Sequence, residues 1–139
     1  MLEIEKDRKT KTAVICPVIK TAAGMMTAEE EAARENEAVG LVLAMGQEVV
    51  FCETVRMSAI VPKSFFGKGT LERLKTACEE KGAELLVVDM PVSAVQQRNL
   101  EKMLNMKVID RTAVILEIFG QRAQTREGKL QVELAHLTY

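Results

Sequence analysis

The sequence has few of the residues from which metal centres and nucleophilic active sites are built. His136 is its only histidine, and its three cysteines, Cys16, Cys52 and Cys78, stand far apart with no C-x-x-C pair. A zinc site needs several ligands at short spacing, and no nucleophile can be matched with a base and an orienting group. We therefore expect no metal site and no catalytic residues, and reduced, mostly buried thiols typical of a cytoplasmic protein.

Aromatic residues and long apolar runs are also scarce. Aromatics make up 4% of the chain and tryptophan is absent, so the stacking platforms that hold single-stranded nucleic acid are poorly supported. No apolar run approaches the roughly 18 residues that would suggest a membrane-spanning helix. The net charge of −1 gives the whole chain no general attraction for polyanions.

What is present is the composition of an ordinary globular protein. Apolar residues make up 47% of the sequence and charged residues 28%, a balance at which a chain buries a core. Charged residues crowd the first positions, so we expect residues 1–11 to form a flexible, solvated tail. The rest divides into an α/β domain over residues 12–110 and a helical segment over residues 111–139.

Short apolar runs alternate with helical patterns within the predicted domain. Strands are predicted at residues 12–19, 48–57, 85–88 and 107–109. Helices are predicted at residues 28–45, 71–81 and 94–104. Because the connections between strands are too long for hairpins, we expect a small four-stranded, mostly parallel sheet flanked by helices.

Capping patterns mark where these helices begin. Thr27 with Glu30 and Ser93 with Gln96 both fit the capping box, in which a hydroxyl and a side chain three residues on bond to each other's backbone N–H groups. Thr70 is the residue that we expect to cap the helix between them. All three predictions concern backbone groups that have no partner within the helix.

The segment Gly67-Lys68-Gly69-Thr70 invites interpretation as a phosphate loop. Two glycines, a lysine and a threonine before a helix can present backbone N–H groups to an anion. A Walker A sequence, however, has glycine where Pro62 stands and serine or threonine where Gly69 stands. These four residues therefore support only an alternative hypothesis, a stand-alone α/β nucleotide-binding or hydrolytic domain.

Asp89 stands directly after the predicted strand at residues 85–88. The carboxyl ends of parallel strands are where such sheets often bind ligands. Aspartate is also a residue that commonly turns a chain. The sequence leaves a functional and a structural role for Asp89 open.

Basic residues of the last third are the stronger candidates for binding. Residues 98–139 carry seven Lys and Arg against five Asp and Glu, whereas residues 1–97 carry twelve against fifteen. Guanidinium and ammonium groups attract a phosphate backbone of any sequence, and folded RNA, read by its shape, suits a chain without stacking aromatics. The candidates for RNA contact are Arg98, Lys102, Lys107, Arg111, Arg122, Arg126 and Lys129, with Gln96, Gln97 and Asn99 as further hydrogen-bonding groups.

The same region resembles the N-terminal part of the HflX family of ribosome-associated GTPases. The resemblance lies in the segments Q-Q-R-N-L-E-K from Gln96, D-R-T from Asp110 and T-R-E-G-K-L-Q-V-E-L-A from Thr125. The glycine-containing turn at residues 67–69, followed by L-E-R-L from Leu71, is similar to a turn of that family. The order of strands and helices upstream agrees with the family's N-terminal α/β domain.

The resemblance implies a protein that binds the large ribosomal subunit and its rRNA and helps to split or rescue stalled ribosomes. It also implies hydrolysis of GTP, with magnesium, in a separate downstream domain. This sequence holds no complete phosphate loop, magnesium-binding switch or guanine-reading motif, so GTP hydrolysis carries over to none of its residues. The module would instead contact the ribosome and regulate the GTPase domain, with no cofactor of its own.

The last residues predict the beginning of a helical, coiled-coil-like arm. Apolar residues recur at helical spacing over residues 114–119, and Leu130, Leu134 and Leu137 form an i, i+4, i+7 stripe. The stripe reaches the end of the sequence with no cap and no stop, so we expect a fragment of a longer protein. A third hypothesis is an interaction scaffold that forms a dimer through this stripe.

Overall fold

The computed structural model describes residues 8–123, which form a four-stranded parallel sheet with helices on both faces. The strands are β1 (Lys11–Ile19), β2 (Glu48–Met57), β3 (Leu85–Val88) and β4 (Lys107–Asp110). The helices between them are α1 (Ala28–Ala44), α2 (Lys68–Lys81) and α3 (Ala94–Leu104). Residues 111–123 are helical and are called α4. The predicted α/β fold, with its small parallel sheet followed by a helical segment, is confirmed.

The order of strands in the sheet is β2-β1-β3-β4, and all neighbouring pairs are parallel. The chain runs from β1 outward to β2 and then returns past β1 to β3 and β4. Because crossovers between parallel strands are right-handed, α1 covers one face of the sheet, and α2 and α3 cover the other. Helix α4 returns to the α1 face, where Val114 and Ile118 pack in the same cluster as Val42 of α1.

The central strand β1 supplies side chains to a hydrophobic core on each face. Ala13 and Ile15 lie in the core beneath α2 and α3, and Val14 and Cys16 lie in the core beneath α1 and α4. All four are completely buried. Successive strand residues point to opposite faces, so a strand covered on both sides is apolar throughout rather than alternating.

Two phenylalanines fix the loop between β2 and α2. The side chains of Phe65 and Phe66 are fully buried, and their ring centroids lie 4.9 Å apart in an edge-to-face arrangement. Phe65 has a φ of 67°, in the left-handed region, and two backbone hydrogen bonds with Val61 (3.0 and 2.8 Å) close the turn around it. Such a backbone conformation costs about 1–3 kcal/mol, which the buried rings offset.

Most of the predicted helix starts are confirmed, and one is wrong. Thr27 and Ser93 each accept a hydrogen bond of 3.1 Å from the backbone three residues on, and both capping boxes are complete. Thr70 does not cap α2, because the helix already begins at Lys68 and Gly67 is its N-cap. Leu71 is buried on the inner face of the first turn, so packing forms this turn despite the two glycines.

Residues 8–10, which belong to the predicted tail, lie at the end of the sheet where the parallel strands begin. Arg8 donates two hydrogen bonds, of 2.9 and 2.6 Å, to the carboxylate of Glu84, and these bonds lower the pKa of Glu84. The Thr10 N–H donates to Oε1 of Gln47 at 2.7 Å. These contacts attach residues 8–10 to Glu84, just before β3, and to Gln47, just before β2.

The three thiols are free, as the sequence predicts. Cys16 and Cys78 are buried and Cys52 is partly buried, and burial raises the pKa of Cys78 to about 11. Over residues 8–123 no helix is long and apolar enough to cross a membrane, and no group of three His, Cys, Asp or Glu residues could hold a metal ion. The residues that lie outside this range include His136, Leu130, Leu134 and Leu137.

The caps can be tested by comparing two threonines. Replacing Thr27 with alanine leaves a backbone N–H of α1 without its partner, so we expect the free energy of unfolding to fall by about 1 kcal/mol. Replacing Thr70, which caps nothing, should change it by less than about 0.5 kcal/mol. Chemical denaturation measures both, and an equal loss in the two variants would contradict the position of the α2 cap.

Candidate functional site

The polar residues of the segment at positions 96–102 mostly bond within the domain. On α3, Gln97 Nε2 donates to the carbonyl of Val108 at 2.7 Å, and Oε2 of Glu101 accepts from the Val108 N–H at 3.1 Å. Val108 belongs to β4, which is an edge strand of the sheet. The two α3 side chains therefore satisfy the backbone groups that a further strand would otherwise bond.

Two other amides of this segment hold the loop before α2. Gln96 Nε2 donates to the carbonyl of Val61 at 3.1 Å, and Asn99 Nδ2 donates to the carbonyl of Lys63 at 2.8 Å. The sequence interpretation treated Gln96, Gln97 and Asn99 as groups that face RNA. In the structure they fasten α3 to the domain instead.

Arg98 and Lys102 are the residues of the segment that extend into solvent. They are four residues apart on α3 and so share one face of the helix, opposite the buried Leu100. Both are exposed, and neither has a carboxylate partner among the described ion pairs. The outer face of α3 thus presents two cationic groups that the described part of the domain leaves unpaired.

Other predicted cations are already paired or lie elsewhere. Lys107 Nζ is 3.8 Å from Oε2 of Glu101, at the surface. Arg122 is exposed on α4, which covers the face of the sheet opposite α3. Arg126 and Lys129 lie outside the described residues. The predicted cations that the structure describes therefore do not form one continuous surface.

Arg111 is bound inside the domain by two carboxylates. Its Nη1 donates to Oδ1 of Asp89 at 3.1 Å and its Nη2 donates to Oε1 of Glu37 at 2.5 Å. The hydrogen bond to Glu37, followed by that to Asp89, raises the pKa of Arg111. Arg111 is the first residue of α4, so this pairing attaches the start of α4 to β3 and α1.

A second arginine completes what we call the Asp89 cluster, which consists of Asp89, Arg34, Arg111 and Glu37. Arg34 of α1 donates from Nε to Oδ2 of Asp89 at 3.0 Å, from Nη2 to the Asp89 carbonyl at 2.7 Å and from Nη1 to the Pro17 carbonyl at 2.5 Å. The carboxylate of Asp89 is only 2% exposed. Each of its oxygens therefore accepts a hydrogen bond from a different guanidinium.

The Asp89 cluster occupies the topological switch point of the sheet. The chain leaves β1 toward β2 but leaves β3 toward β4, and a crevice between such strands is where open parallel sheets bind ligands. Here the guanidiniums of Arg34 and Arg111 fill the position. The structure thus gives Asp89 a structural role, one of the two that the sequence left open. Its partner Arg34 could not be identified from the sequence, because the two residues are 55 positions apart.

Asp110 organises the chain on both sides of this cluster. Its Oδ1 accepts a hydrogen bond from the Ala113 N–H at 3.0 Å, in the first turn of α4, and its Oδ2 accepts from the Val92 N–H at 3.0 Å. The first bond has the pattern of a helix cap. Asp110 and Arg111 of the D-R-T segment therefore set the position at which α4 begins.

The glycine-containing segment forms the start of α2 rather than a loop. Gly67 is extended with a φ of −69°, and no side chain caps the helix, so its first backbone N–H groups have no side-chain acceptor. Lys68 and Gly69 are exposed. A cleft of about 400 Å³ lies beside this turn, lined by Ser64, Lys68, Leu71, Glu72, Lys75 and Met103.

Removal of the Asp89 carboxylate should be far more costly than removal of its exposed neighbour. In Asp89→Ala two partly buried guanidiniums lose their shared acceptor, and we expect the free energy of unfolding to fall by about 3 kcal/mol. Glu37→Gln removes a surface partner of Arg111 and should cost less than about 1 kcal/mol. Denaturant titration measures the free energy of unfolding of both variants. Similar small losses in the two would show that Asp89 is not the centre of the cluster.

Comparison with known proteins identifies the family. Residues 32–120 match the family model described as GTP-binding GTPase N-terminal. The chain is 47% identical over 104 residues to the GTPase HflX of Magnetococcus marinus, an alignment that covers 75% of this chain and 24% of the relative. It is 38% identical over 146 residues to the GTPase HflX of Treponema denticola, covering 96% of this chain and 37% of the relative.

Solved structures agree on the fold. A GTP-binding protein from the hyperthermophilic archaeon Sulfolobus solfataricus, solved in complex with GDP, superimposes with a TM-score of 0.59 at 22% identity. That alignment covers 94% of this chain and 36% of the archaeal one. The chain thus spans between 24% and 37% of the length of these proteins. The chain belongs to the GTP-binding GTPase N-terminal family and corresponds to the N-terminal region of the HflX GTPases.

Proposed function

We propose that this chain is the ribosome-binding N-terminal module of an HflX-like GTP-binding protein of the cytoplasm. The whole protein would associate with the large ribosomal subunit, hydrolyse GTP with magnesium in its GTPase domain, and split or rescue stalled ribosomes. The module would contribute contacts to rRNA and regulate the GTPase domain. Family membership supports the assignment to an HflX-like protein, and the surface of α3 supports the contacts to RNA.

The proposal of an RNA contact rests mainly on the exposed pair Arg98 and Lys102. In a segment whose other polar side chains bond within the domain, these two extend to solvent with no described carboxylate partner. Internal packing gives no reason for either charge. Both are suited to phosphate groups, which they would attract without reading a sequence.

Further cations lie on the same side of the sheet. Lys63, in the loop before α2, and Lys68, the first residue of α2, are exposed, and Lys75 lines the cleft farther along that helix. Together with Arg98 and Lys102 they make the α2 and α3 side a surface for folded RNA that is recognised by shape. Arg122, with Arg126 and Lys129 beyond it in sequence, would make a separate contact through the arm.

Regulation of another domain requires a surface for protein contact, and α4 offers one. Leu116 and Phe119 are 66% and 61% exposed, three residues apart on the side of α4 away from the sheet. Contiguous patches of exposed apolar side chains are typical of protein contact surfaces. This surface supports packing of the arm, the GTPase domain or a second copy against α4.

Co-sedimentation with purified large ribosomal subunits across a salt series tests the RNA contact. Replacing Arg98 and Lys102 together with glutamate should weaken binding and reduce the slope of log affinity against log salt by about one for each phosphate that is no longer neutralised. The matched control is the same charge change at the exposed Lys9 and Lys20, away from α3, and it should leave the slope nearly unchanged.

Three outcomes of this series are informative. Equal weakening in the two double variants would remove the α3 assignment. Weakening only when Arg122, Arg126 and Lys129 are replaced by glutamate would move the contact to the arm. Binding that appears only when a GTPase domain is added would mean that the module positions that domain and does not anchor the protein by itself.

A second candidate function is nucleotide binding at residues 67–70, favoured by the uncapped first turn of α2. A thermal-shift screen with ATP and GTP tests it on the wild-type chain. Ligand at about 100 times its dissociation constant should stabilise the fold by about 2.7 kcal/mol. A shift that Lys68→Ala abolishes would support this function, and an unchanged melting temperature at millimolar nucleotide would exclude it.

A further inference from the structure

The two edges of the sheet differ in how their backbone groups are used. On β4 the outward N–H and C=O of Val108 are bonded by Glu101 and Gln97 of α3. On β2 no described residue pairs with the strand on its outer side. An edge strand with free backbone groups is a template for another strand, so β2 is the edge at which the sheet can be extended.

The positions that face outward on β2 follow from the pairing on its inner side. The Met57 carbonyl accepts a hydrogen bond from the Lys20 N–H at 2.9 Å, so Met57 faces the β1 side. Backbone groups alternate in direction along a strand. The N–H and C=O groups of Cys52, Thr54 and Arg56 therefore point to the open edge.

The side chains of these residues lie beside α1 and give one end of the edge its polarity. Arg56 donates to the Glu31 carboxylate at 2.9 and 2.8 Å, and Thr54 donates from its hydroxyl to Glu35. Four residues of helix rise by about 6 Å and two residues of strand by about 6.6 Å. Every fourth residue of α1 therefore lies level with every second residue of β2. This end of the edge is polar.

The same spacing makes the other end apolar. Continuing from Glu35, the next residue on that side of α1 is Val39, which comes level with Cys52, and Leu43 follows one turn further on. The pairing of β2 with β1 shifts by one residue between Val49 and Phe51, so the regular two-residue spacing ends at this point. Val39 and Val50 are partly buried, and Leu43 is 56% exposed. A strip of apolar side chains thus flanks the first half of β2.

The charge along the edge selects the kind of partner. Glu31 is paired with Arg56, and Glu53 is paired with Arg73 at 2.6 Å. Within residues 8–123, Glu35 and Glu48 have no cation among the described ion pairs. The edge is therefore complementary to a segment that carries basic side chains.

A second copy of the chain fits the edge less well than such a segment. Two β2 strands paired about a two-fold axis run antiparallel and bring their α1 helices to the same side of the joined sheet. In the register that pairs the two Cys52 residues, the carboxylate of Glu35 in one copy would lie against Leu43 of the other, and in the register that pairs the two Thr54 residues the Glu35 carboxylates would oppose each other. Burying a carboxylate against apolar side chains is costly.

We propose that the outer edge of β2 binds an extended segment of a partner protein by strand addition. The segment would bond to the backbone of Cys52, Thr54 and Arg56. Its side chains toward α1 would be basic where they meet Glu35 and apolar where they meet Leu43. Backbone bonds would supply affinity, and these two side-chain sites would supply specificity.

The probes for a direct test are two labelled, capped peptides on the full 139-residue chain. One has the sequence Thr-Val-Thr-Val-Thr-Lys-Thr-Lys and the other has the reverse order, so that both strand directions are covered. Fluorescence anisotropy should show at least one of them binding about tenfold tighter than its counterpart with glutamate in place of lysine. Amide exchange should show new protection at Cys52, Thr54 and Arg56 only.

Two variants separate strand addition from simple charge attraction. Thr54→Pro removes one outward N–H without removing a bond to β1, which an edge strand tolerates, and it should abolish binding, while Thr54→Ala controls for the missing hydroxyl. Glu35→Lys should remove the preference for lysine over glutamate peptides. Absence of binding by both peptides, or binding that leaves the three outward amides unprotected, would overturn the proposal. Strands β2 and β4 are opposite edges of the sheet. The outcome of the peptide experiment therefore does not depend on whether the Arg98 and Lys102 variants weaken ribosome binding.

Discussion

The buried carboxylate of Asp89 is the constraint on which the arrangement of this domain depends. A carboxylate that is 2% exposed must be compensated, and here the compensation comes from Arg34 of α1 and Arg111 of α4. Because Arg34 also bonds to the Pro17 carbonyl, one charge joins both central strands to both helices of one face. The position from which α4 leaves the sheet is set at this point.

The opposite face is organised by side-chain hydrogen bonds to backbone groups rather than by ion pairs around a buried charge. Gln96, Gln97, Asn99 and Glu101 each bond to a backbone group of a loop or of β4. Four of the residues that make the Q-Q-R-N-L-E-K segment recognisable are therefore needed for the fold. Of this segment, only Arg98 and Lys102 remain for an external partner, so any RNA contact that the segment makes is limited to the outer face of α3.

This use of side chains also explains why the two sheet edges differ. Strand β4 has only four residues, and two side chains from α3 bond the outward N–H and C=O of Val108. Strand β2 has ten residues, and α1 lies above its face rather than beside its edge. Its outward N–H and C=O groups are consequently left to water or to another strand.

Local sequence patterns alone predict the helices and strands, because helix capping, short apolar runs and glycines at helix ends depend on residues that are close in sequence. The strands at 48–57 and 85–88 and both capping boxes could be placed without a structure, whereas the start of α2 could not, since packing of Leu71 decided it. Tertiary structure alone decided what the polar residues do. Gln97 and Val108 are 11 residues apart, and Arg34 and Asp89 are 55 apart. Such partners meet only after the order of strands in the sheet is established. For this reason side chains that the sequence offered as RNA contacts, such as Gln97 and Arg111, bond within the domain instead.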